Sequence, residues 1–266
     1  MNKDDFQRLV WQKGRELYRD MPWRNTDDPY LIMVSELMLQ QTQVDRVMPK
    51  YQEFTRRYPD IYTLAGAPLA DIITIWNGLG YNRRAKFLHD SAVKIVTEYD
   101  GKVPDTLEHL QTLPGIGPNT AAAILVYAFN KPAGFIETNI RTVYFQHYFE
   151  DYQLVADQQL REVVTQTVDS EHPREWFYAL MDYGSYLKKQ GAGQIDKSAH
   201  YKKQSPLKGS NREVRGQILR SLAKSDMSDK ELRDDIIADD RYSIALTALL
   251  KEGMVTKTKG RLHLTK

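Results

Sequence analysis

The hexapeptide "LPGIGP" at 113–118 constrains the fold of this chain more than any other stretch. Pro114 cannot continue a helix, whereas Pro118 suits the first position of a new helix, where a missing N–H costs nothing. Gly115 and Gly117 allow a tight backbone and the close approach of a ligand. Apolar residues at helical spacing lie on both sides. The sequence therefore predicts two helices joined by a short turn.

This turn is also a candidate anion site. The N–H groups of the turn and of the following helix start point outward together, which favours a bound anion. The chain is mildly basic, with a net charge of +2, so a DNA phosphate is the natural anion. Carbonyls of Leu113 and Gly115 can hold a monovalent cation, K⁺ or Na⁺, and no other cofactor is expected. A plain helix–helix turn remains the alternative.

Helical spacing of apolar residues continues through the first 200 residues, and short breaks with proline or glycine separate the segments. This pattern predicts an all-α region of about ten helices. A basic stretch follows between Lys188 and Lys208, with one acid, Asp196. We interpret it either as a mobile strap that lies along phosphates or as a solvated linker. Its six lysines are Lys188, Lys189, Lys197, Lys202, Lys203 and Lys208.

The pattern changes again in the last 55 or so residues. Two amphipathic segments, "NREVRGQILRSLAK" and "DRYSIALTALLKEG", flank a helix that Ser228 caps, and "MVTKTKGRLHLT" predicts two strands around Lys259 and Gly260. Three helices and a β-ribbon indicate a winged helix. Its third helix would enter a DNA groove, or the domain would serve protein contacts or packing. The predicted domains are 1–187, a strap at 188–210, and 211–266.

Composition excludes several classes of protein. No apolar run approaches the roughly 18–20 residues of a membrane helix. The N-terminus "MNKDDFQRLV" carries acids and lacks the apolar core of a signal peptide, so a cytoplasmic protein is expected. A monomer is expected as well. There are no cysteines, which excludes disulfides, zinc–thiolate sites and iron–sulfur clusters ligated by cysteine.

The stretch "FIETNIRTV" at 135–143 holds the most informative acid. Glu137 follows the apolar pair Phe135 and Ile136, and a carboxylate against an apolar wall usually has a partner or a chemical role. Alternatively, Glu137 is an ordinary acid at the start of a helix, where its negative charge interacts favourably with the helix dipole. These two interpretations do not exclude each other.

Five motifs together point to one family. They are "MPWR" at 21–24, "DPYLIMVSELMLQQTQV" at 28–44, "WNGLGYNRRA" at 76–85, "GKVPDTLEHLQTLPGIGPNTAAAI" at 101–124 and "IETNIRTV" at 136–143. In this order and spacing, roughly from residue 5 to 190, the chain resembles MutY-type adenine DNA glycosylases. The hairpin itself is shared by the whole helix-hairpin-helix superfamily. The resemblance implies a mainly α, two-lobed helix-hairpin-helix glycosylase fold, followed here by the winged helix.

The implied chemistry is cleavage of an N-glycosidic bond after the nucleotide has left the stack. One protonated carboxyl group helps the base leave, and a second carboxylate stabilises the oxocarbenium sugar or attacks it. By resemblance, Glu36 is the acid that protonates the adenine and later handles water. Its helix is almost fully apolar, so burial would raise its pKa. Glu137 is the second carboxylate, and Asn139 would orient the water or the acid.

Glu137 departs from the family pattern, which has an aspartate followed by Gly-Asn. Charge and hydrogen-bonding type are kept, but the side chain is one methylene longer. A displacement of about 1 Å can cost on the order of 100-fold in rate. We therefore expect a compensating backbone shift, a different substrate, or loss of activity.

The resemblance also implies which residues contact DNA. Gln41 matches a residue that wedges into the duplex, and Thr42 and Tyr81 match contacts to the base opposite. Asn119 stands where relatives of the endonuclease III type have a catalytic lysine, and an amide cannot form a Schiff base, so no lyase activity is expected. The full set of predicted DNA-binding residues is Arg24, Gln40, Gln41, Thr42, Tyr81, Arg84, Leu113, Gly115, Gly117, Asn119, Thr120, Lys188 and Lys189.

The expected function is a monofunctional DNA glycosylase without an iron–sulfur cluster. It would act on double-stranded DNA and remove a mispaired base, adenine opposite 8-oxoguanine or G. The winged helix stands in place of the family's lesion-recognition domain, which leaves the base preference open. The alternatives are a glycosylase for T, U, hypoxanthine or alkylated bases, a non-catalytic protein that binds lesions or DNA structures, and a transcription regulator.

Overall fold

The computed structural model describes residues 1–199, 201, 205–236 and 238–266. The mainly α-helical architecture predicted from the sequence is confirmed, with one small sheet near the C-terminus. The helices are α1 (Lys3–Glu16), α2 (Pro29–Leu39), α3 (Val44–Arg57), α4 (Ile61–Ala65), α5 (Leu69–Trp76), α6 (Arg83–Glu98), α7 (Leu107–Gln111), α8 (Pro118–Phe129), α9 (Thr138–His147), α10 (Asp157–Thr167), α11 (Pro173–Lys189), α12 (Asn211–Leu222), α13 (Asp229–Ile236) and α14 (Arg241–Lys251). The strands are β1 (Met227–Ser228), β2 (Val255–Thr258) and β3 (Arg261–Leu264).

The chain divides into two compact units. Unit 1 comprises Met1–Met33, Asp105–Thr112 and Ile116–Lys203; unit 2 comprises Val34–Pro104, Leu113–Gly115 and Gln204–Lys266. The C-terminal elements therefore fall in the same unit as α3–α6. The predicted domain limits at 187 and 210 stay predictions.

In unit 1, α9 and α11 pack against each other at very short range. A Cβ atom added at Gly184 of α11 would lie 2.1 Å from the carbonyl oxygen of Asn139 in α9. Only glycine allows this approach, because real Cβ contacts stay well above that distance. Phe135, which precedes α9, stacks on Phe177 of α11 with ring centroids 4.3 Å apart. These contacts fix the start of α9.

The C-terminal part of unit 2 has the predicted three helices and β-ribbon, with one short strand more. The sheet order is β1-β3-β2 and both pairs are antiparallel. Ser228 caps α13 as predicted: its hydroxyl accepts from the Glu231 N–H, and the Glu231 carboxylate accepts from the Ser228 N–H. The hydrophobic core of these C-terminal elements includes Leu69 and Ile73 of α5, so this winged helix is packed onto the rest of unit 2.

Helix α8 shows how the local sequence defines an element. Gly117 is its N-cap, Pro118 opens the first turn, and Asn130 in the left-handed region ends it. Eight consecutive residues from Ala121 to Ala128 are buried. A helix that is apolar all round belongs in a core. In the described part of the chain, no helix has the length and apolarity that crossing a membrane requires.

Candidate active site

Glu137 lies at the start of α9, in unit 1. It is the N-cap residue of this helix, with extended backbone, yet its side chain makes no capping hydrogen bond. Burial raises the pKa of its carboxyl above the ordinary value. Among the described residues, no hydrogen bond or ion pair to this carboxylate is present, although part of the residue stays accessible. Glu137 is thus an acid at the start of a helix. Its carboxyl is desolvated, and no positive charge compensates it among the described residues.

The backbone just before Glu137 is held by Asn119. The Asn119 amide donates to the Ile136 carbonyl at 3.2 Å, and its oxygen accepts from the Ile136 N–H at 3.4 Å. Arg161 donates to the same amide oxygen at 3.3 Å. A neutral side chain therefore fastens both polar groups of the preceding residue. This role of Asn119 was not predicted, because nothing in the local sequence links residues 119 and 136.

The rest of "FIETNIRTV" also takes part in fixed contacts. Arg141 forms a bidentate ion pair with Asp157, with distances of 2.6 and 2.8 Å. Its charge is therefore compensated by an acid other than Glu137. Asn139 follows in the first turn of α9 and is partly buried. The proposed water- or acid-orienting amide thus sits two residues after the carboxyl that it would serve.

Glu36 lies on α2, in unit 2. Residues 32–38 are all buried, and Glu36 itself is 9% exposed. This confirms the expected apolar setting of its helix. A carboxyl in such a place needs a partner, because an isolated buried charge is costly.

The turn after α2 contains three of the residues predicted to contact DNA, Gln40, Gln41 and Thr42. Gln41 is exposed and adopts a left-handed backbone, with φ of 55°. Gln40 donates to the Gly115 carbonyl at 3.4 Å, and the Thr42 hydroxyl lies 3.4 Å from the Leu79 carbonyl. Non-glycine residues rarely hold positive φ without support from their surroundings. Gln41 is therefore an exposed residue in a turn that its neighbours support.

The predicted hairpin between α7 and α8 is present. Helix α7 ends at Gln111, before Pro114. Gly115 has φ of 76°, and a Cβ there would lie 2.7 Å from the Phe87 ring. Gly117 and Asn119 are exposed and Thr120 is partly exposed, while Leu113 is buried. The first turn of α8 therefore offers its N–H groups at an accessible surface, as an anion site needs.

Tyr81 occupies a second strained turn, residues 78–81, in unit 2. Its φ is 47°, and Gly78 and Gly80 also have positive φ. Arg84 holds this turn from below: it is 6% exposed and donates to the Gly80 carbonyl at 3.0 Å. Its other terminal nitrogen donates at 2.7 and 2.8 Å to carbonyls in the last turn of α2, at Leu37 and Met38. A cation suits the C-terminal end of a helix.

Burial argues against the direct DNA contacts expected for two arginines. Arg84 is covered by the contacts just given, and burial lowers its pKa to about 10. The side chain of Arg24 is 2% exposed and pairs with Asp182 at 2.6 and 2.9 Å. Tyr178 stacks over its guanidinium, 4.4 Å from the ring centroid. Both side chains hold the fold, because their terminal N–H donors are already used inside the protein, and the remaining Arg24 nitrogen, Nε, is buried.

The basic segment is fixed at one point rather than free. Residues Ile195–Lys197 form a short 3-10 helix, and Ser198 pairs with Val155 in an isolated bridge. Lys197 donates to the carbonyl of Glu150 at 2.6 Å. Lys188 and Lys189 are exposed in the last turn of α11. Lys202 and Lys203 lie outside the described residues.

The third helix of the winged helix, α14, is poorly suited to a DNA groove. Its exposed residues include Ile244 and Leu250, which are 60% and 38% exposed. Arg241 at its start is paired with Asp239 and Glu213.

In the part of the chain that is described, no group of three or more His, Asp or Glu residues could hold a metal ion.

Comparison with known proteins places the chain in a family. Residues 34–168 match the model of the HhH-GPD superfamily, base excision DNA repair proteins. The chain belongs to this superfamily. The MutY-type resemblance is confirmed as well, because the chain is 31% identical to the adenine DNA glycosylase of Mycobacterium tuberculosis (strain ATCC 25618 / H37Rv), over 94% of this chain and 89% of that protein. This HhH-GPD chain is therefore a base excision repair DNA glycosylase by family.

Other relatives and solved structures agree on the fold. The adenine DNA glycosylase of Buchnera aphidicola subsp. Baizongia pistaciae is 34% identical over 64% of this chain; the chain spans about half of that protein, 48%. A thermostable thymine-DNA glycosylase has a TM-score of 0.61 at 26% identity, covering 69% of this chain and 86% of that chain. Two endonuclease III–DNA complexes support the fold alone. One has 18% identity and a TM-score of 0.55, covering 77% of this chain and 91% of that chain; the other has 19% identity and a TM-score of 0.54, covering 77% and 90%.

Proposed function

We propose that this HhH-GPD protein hydrolyses mispaired adenine from double-stranded DNA, opposite 8-oxoguanine or G. The observation that carries the proposal is the carboxyl of Glu137, which is desolvated, has a raised pKa and lacks a cationic partner among the described residues. Names of the curated relatives support adenine as the base. We take the protein to act as a cytoplasmic monomer.

Glu137 suits a reaction in which positive charge develops on the sugar. A carboxylate without a counter-cation gains most when a cation forms beside it, so it favours the oxocarbenium transition state over the neutral substrate. Glu36 would protonate the leaving adenine and later take a proton from the attacking water. Asn139 would orient that water or the acid. Ionised Glu137 is the reactive form in this scheme.

Asn119 supports both the position of Glu137 and the absence of lyase chemistry. It holds the backbone of Ile136 and offers no amine that could attack the sugar. Two lysines outside the motifs are paired with acids: Lys131 with Asp105 and Lys86 with Asp90. We therefore propose that no covalent adduct forms, which borohydride trapping on a cleaved substrate would check as an absence of cross-linked protein.

The proposed DNA interface comprises the hairpin and the two strained turns. The first turn of α8 would bind a backbone phosphate, Gln41 would enter the duplex, and Tyr81 with Thr42 would contact the base opposite. Exposed Lys188 and Lys189 would add phosphate contacts. For a monovalent cation, the Leu113 carbonyl accepts no hydrogen bond from the described residues, whereas the Gly115 carbonyl already accepts one from Gln40. K⁺ or Na⁺ would thus use Leu113 mainly.

The test is a single-turnover panel. Duplexes with A opposite 8-oxoguanine, G or C are compared with duplexes that carry T, U, hypoxanthine or an alkylated base. The proposal expects release of adenine opposite 8-oxoguanine or G and little opposite C. Release of another base from the panel, with no release of adenine, would overturn the substrate while leaving the enzyme class in place.

A non-catalytic DNA-binding protein is the second candidate, and the longer side chain at position 137 favours it. Glu137→Asp separates the two. If the wild type is inactive and the variant gains activity, the site had lost its function. If the wild type is active and the variant is slower, glutamate is the adapted catalyst.

A further inference from the structure

Three arginines converge on the turn at 78–81 without an acid to balance them. Arg46 of α3 donates to the carbonyl of Gly78, Arg84 to other carbonyls of the turn, and Arg212 of α12 to the hydroxyl of Tyr81. The guanidinium of Arg212 also lies 5.3 Å from the centre of the Tyr81 ring. All of these acceptors are uncharged, so the positive charges remain.

The lack of carboxylate partners contrasts with two other arginines of unit 2. Nearby Arg83 and Arg215 both pair with Glu252, so their charges are balanced. In the described ranges, neither Arg46 nor Arg212 has an ion pair. The residues outside those ranges add no acid to the chain; they are His200, Lys202, Lys203, Gln204 and Ile237.

Two of the three cations, Arg46 and Arg84, are close enough for the charge of one to act on the other. Burial is the main cause that lowers the pKa of Arg84 to about 10, and the charge of Arg46 lowers it further. Arg84 stays charged at neutral pH, so the free protein contains like charges held close together. Such an arrangement is unfavourable by itself and becomes favourable when an anion binds.

Two of the three arginines have donors to spare. A guanidinium has five N–H donors. Among the described residues, Arg46 donates to the Gly78 carbonyl alone, and Arg212 donates to the Tyr81 hydroxyl and to Ser205, whose carbonyl lies at 2.6 Å. Arg46 is exposed and Arg212 partly so, whereas Arg84 is buried. Arg46 and Arg212 can therefore bind a phosphate in the bidentate geometry that guanidinium groups favour.

We propose that Arg46 and Arg212 each bind a backbone phosphate of duplex DNA beside the turn of Tyr81. The winged helix then joins the DNA interface through its first helix, α12, and not through α14. This inference rests on the proposed action on duplex DNA. The contact positions the duplex against Tyr81 and carries no base information, because phosphate contacts are the same at every sequence.

The test measures how DNA affinity depends on salt. A fluorescent, undamaged duplex is titrated with full-length protein at several NaCl concentrations, for wild type, Arg46→Gln, Arg212→Gln and the double variant. Loss of one phosphate contact lowers the slope of log K against log salt by about 0.9, and loss of two by about 1.8. The double variant is therefore expected to lose about twice the slope of each single variant.

Matched controls separate a phosphate site from general charge. Arg56 on α3 and Arg220 on α12 are exposed arginines of the same helices, and Arg56→Gln and Arg220→Gln should keep the wild-type slope. Arg46→Lys and Arg212→Lys should keep it too. Equal slopes for the Gln variants and the controls would overturn the inference.

Base release is measured on the same proteins, so that the two proposals fail separately. If wild type releases base but the Gln variants keep the wild-type slope, the phosphate site is wrong and the proposed function stands. If the slopes fall as expected and no variant or wild type releases any base, the phosphate site stands and the proposed function is wrong.

Discussion

The start of α9 and the turn at 78–81 are both irregular segments held by side chains, but by opposite means. The segment before Glu137 is fixed by the neutral amide of Asn119, and the nearest arginine on its own helix, Arg141, is paired with Asp157. The turn is fixed by three guanidinium groups with no acid among the described residues.

This difference matches the charge of the group that each segment would contact, a cationic sugar at Glu137 and a phosphate at the turn. An acid that is to stabilise a cationic sugar loses its effect if a fixed cation already neutralises it. A turn that is to receive a phosphate gains from unbalanced cations. The same chain therefore pairs Arg141, on the helix that Glu137 begins, with an acid, and leaves Arg46 and Arg212 without one near Tyr81.

Within this comparison, the largest expected effect comes from Glu137→Gln, which keeps the shape and removes the charge. We expect base release to slow by about 10²- to 10⁴-fold, the range for losing one group that stabilises charge or transfers a proton. Affinity for DNA should not fall, because a negative charge has been removed. Single-turnover rates and fluorescence titration measure both. An unchanged rate would show that Glu137 is only a helix-start residue.

Asp182→Asn tests the paired side of the comparison through stability. Asp182 is fully buried and binds both Arg19 and Arg24, so its loss leaves a buried guanidinium uncompensated. We expect a loss of about 3–5 kcal/mol in the free energy of unfolding, measured by urea denaturation. Arg46→Gln should cost no stability, because it relieves repulsion. Similar losses in both variants would contradict the distinction between paired and unpaired arginines.

Asn119→Ala should slow base release by on the order of 100-fold, the effect of a displacement of about 1 Å at a catalytic group. The backbone of Ile136 would lose two hydrogen bonds. Because Asn119 acts through Glu137, the pH profile of base release should shift as well. Arg161→Gln is the control, since it keeps both bonds to Ile136. A purely structural role would lower the melting temperature and leave the pH profile in place.

The smallest effect concerns stability against pH. The folded-state pKa of Glu137 is raised, so the ionised form destabilises the fold at pH values above that pKa. Glu137→Gln should therefore raise the melting temperature near pH 8. The gain should shrink as pH falls through the raised pKa and vanish below the ordinary value near 4.5. Exposed Glu162→Gln should show no such trend, and a constant gain at all pH values would contradict burial as the cause.

Local patterns in the sequence were sufficient for much of the fold. The hairpin follows from Pro114, Gly115 and Pro118, and the capping of α13 follows from Ser228, because these preferences act within a few residues. The family motifs placed Glu36 on an apolar, buried helix. The short strand β1 was missed, since two residues give no alternating pattern.

Contacts between distant parts of the sequence could not be predicted. Asn119 and Ile136 are 17 residues apart, and Tyr81 and Arg212 are 131 apart, so only the folded chain brings each pair together. Arg24 and Arg84 occur in DNA-binding motifs, yet their burial depends on Asp182 and on the end of α2. Gly184 was the one overlooked signal, as a glycine within a helical pattern marks a close approach.

The most direct test of the account is the single-turnover rate of Glu36→Gln, measured by chromatography of released base on the best substrate of the panel. The account predicts binding of DNA with no detectable base release, because the amide cannot protonate the leaving base. Full wild-type release by Glu36→Gln would contradict the two-carboxyl mechanism.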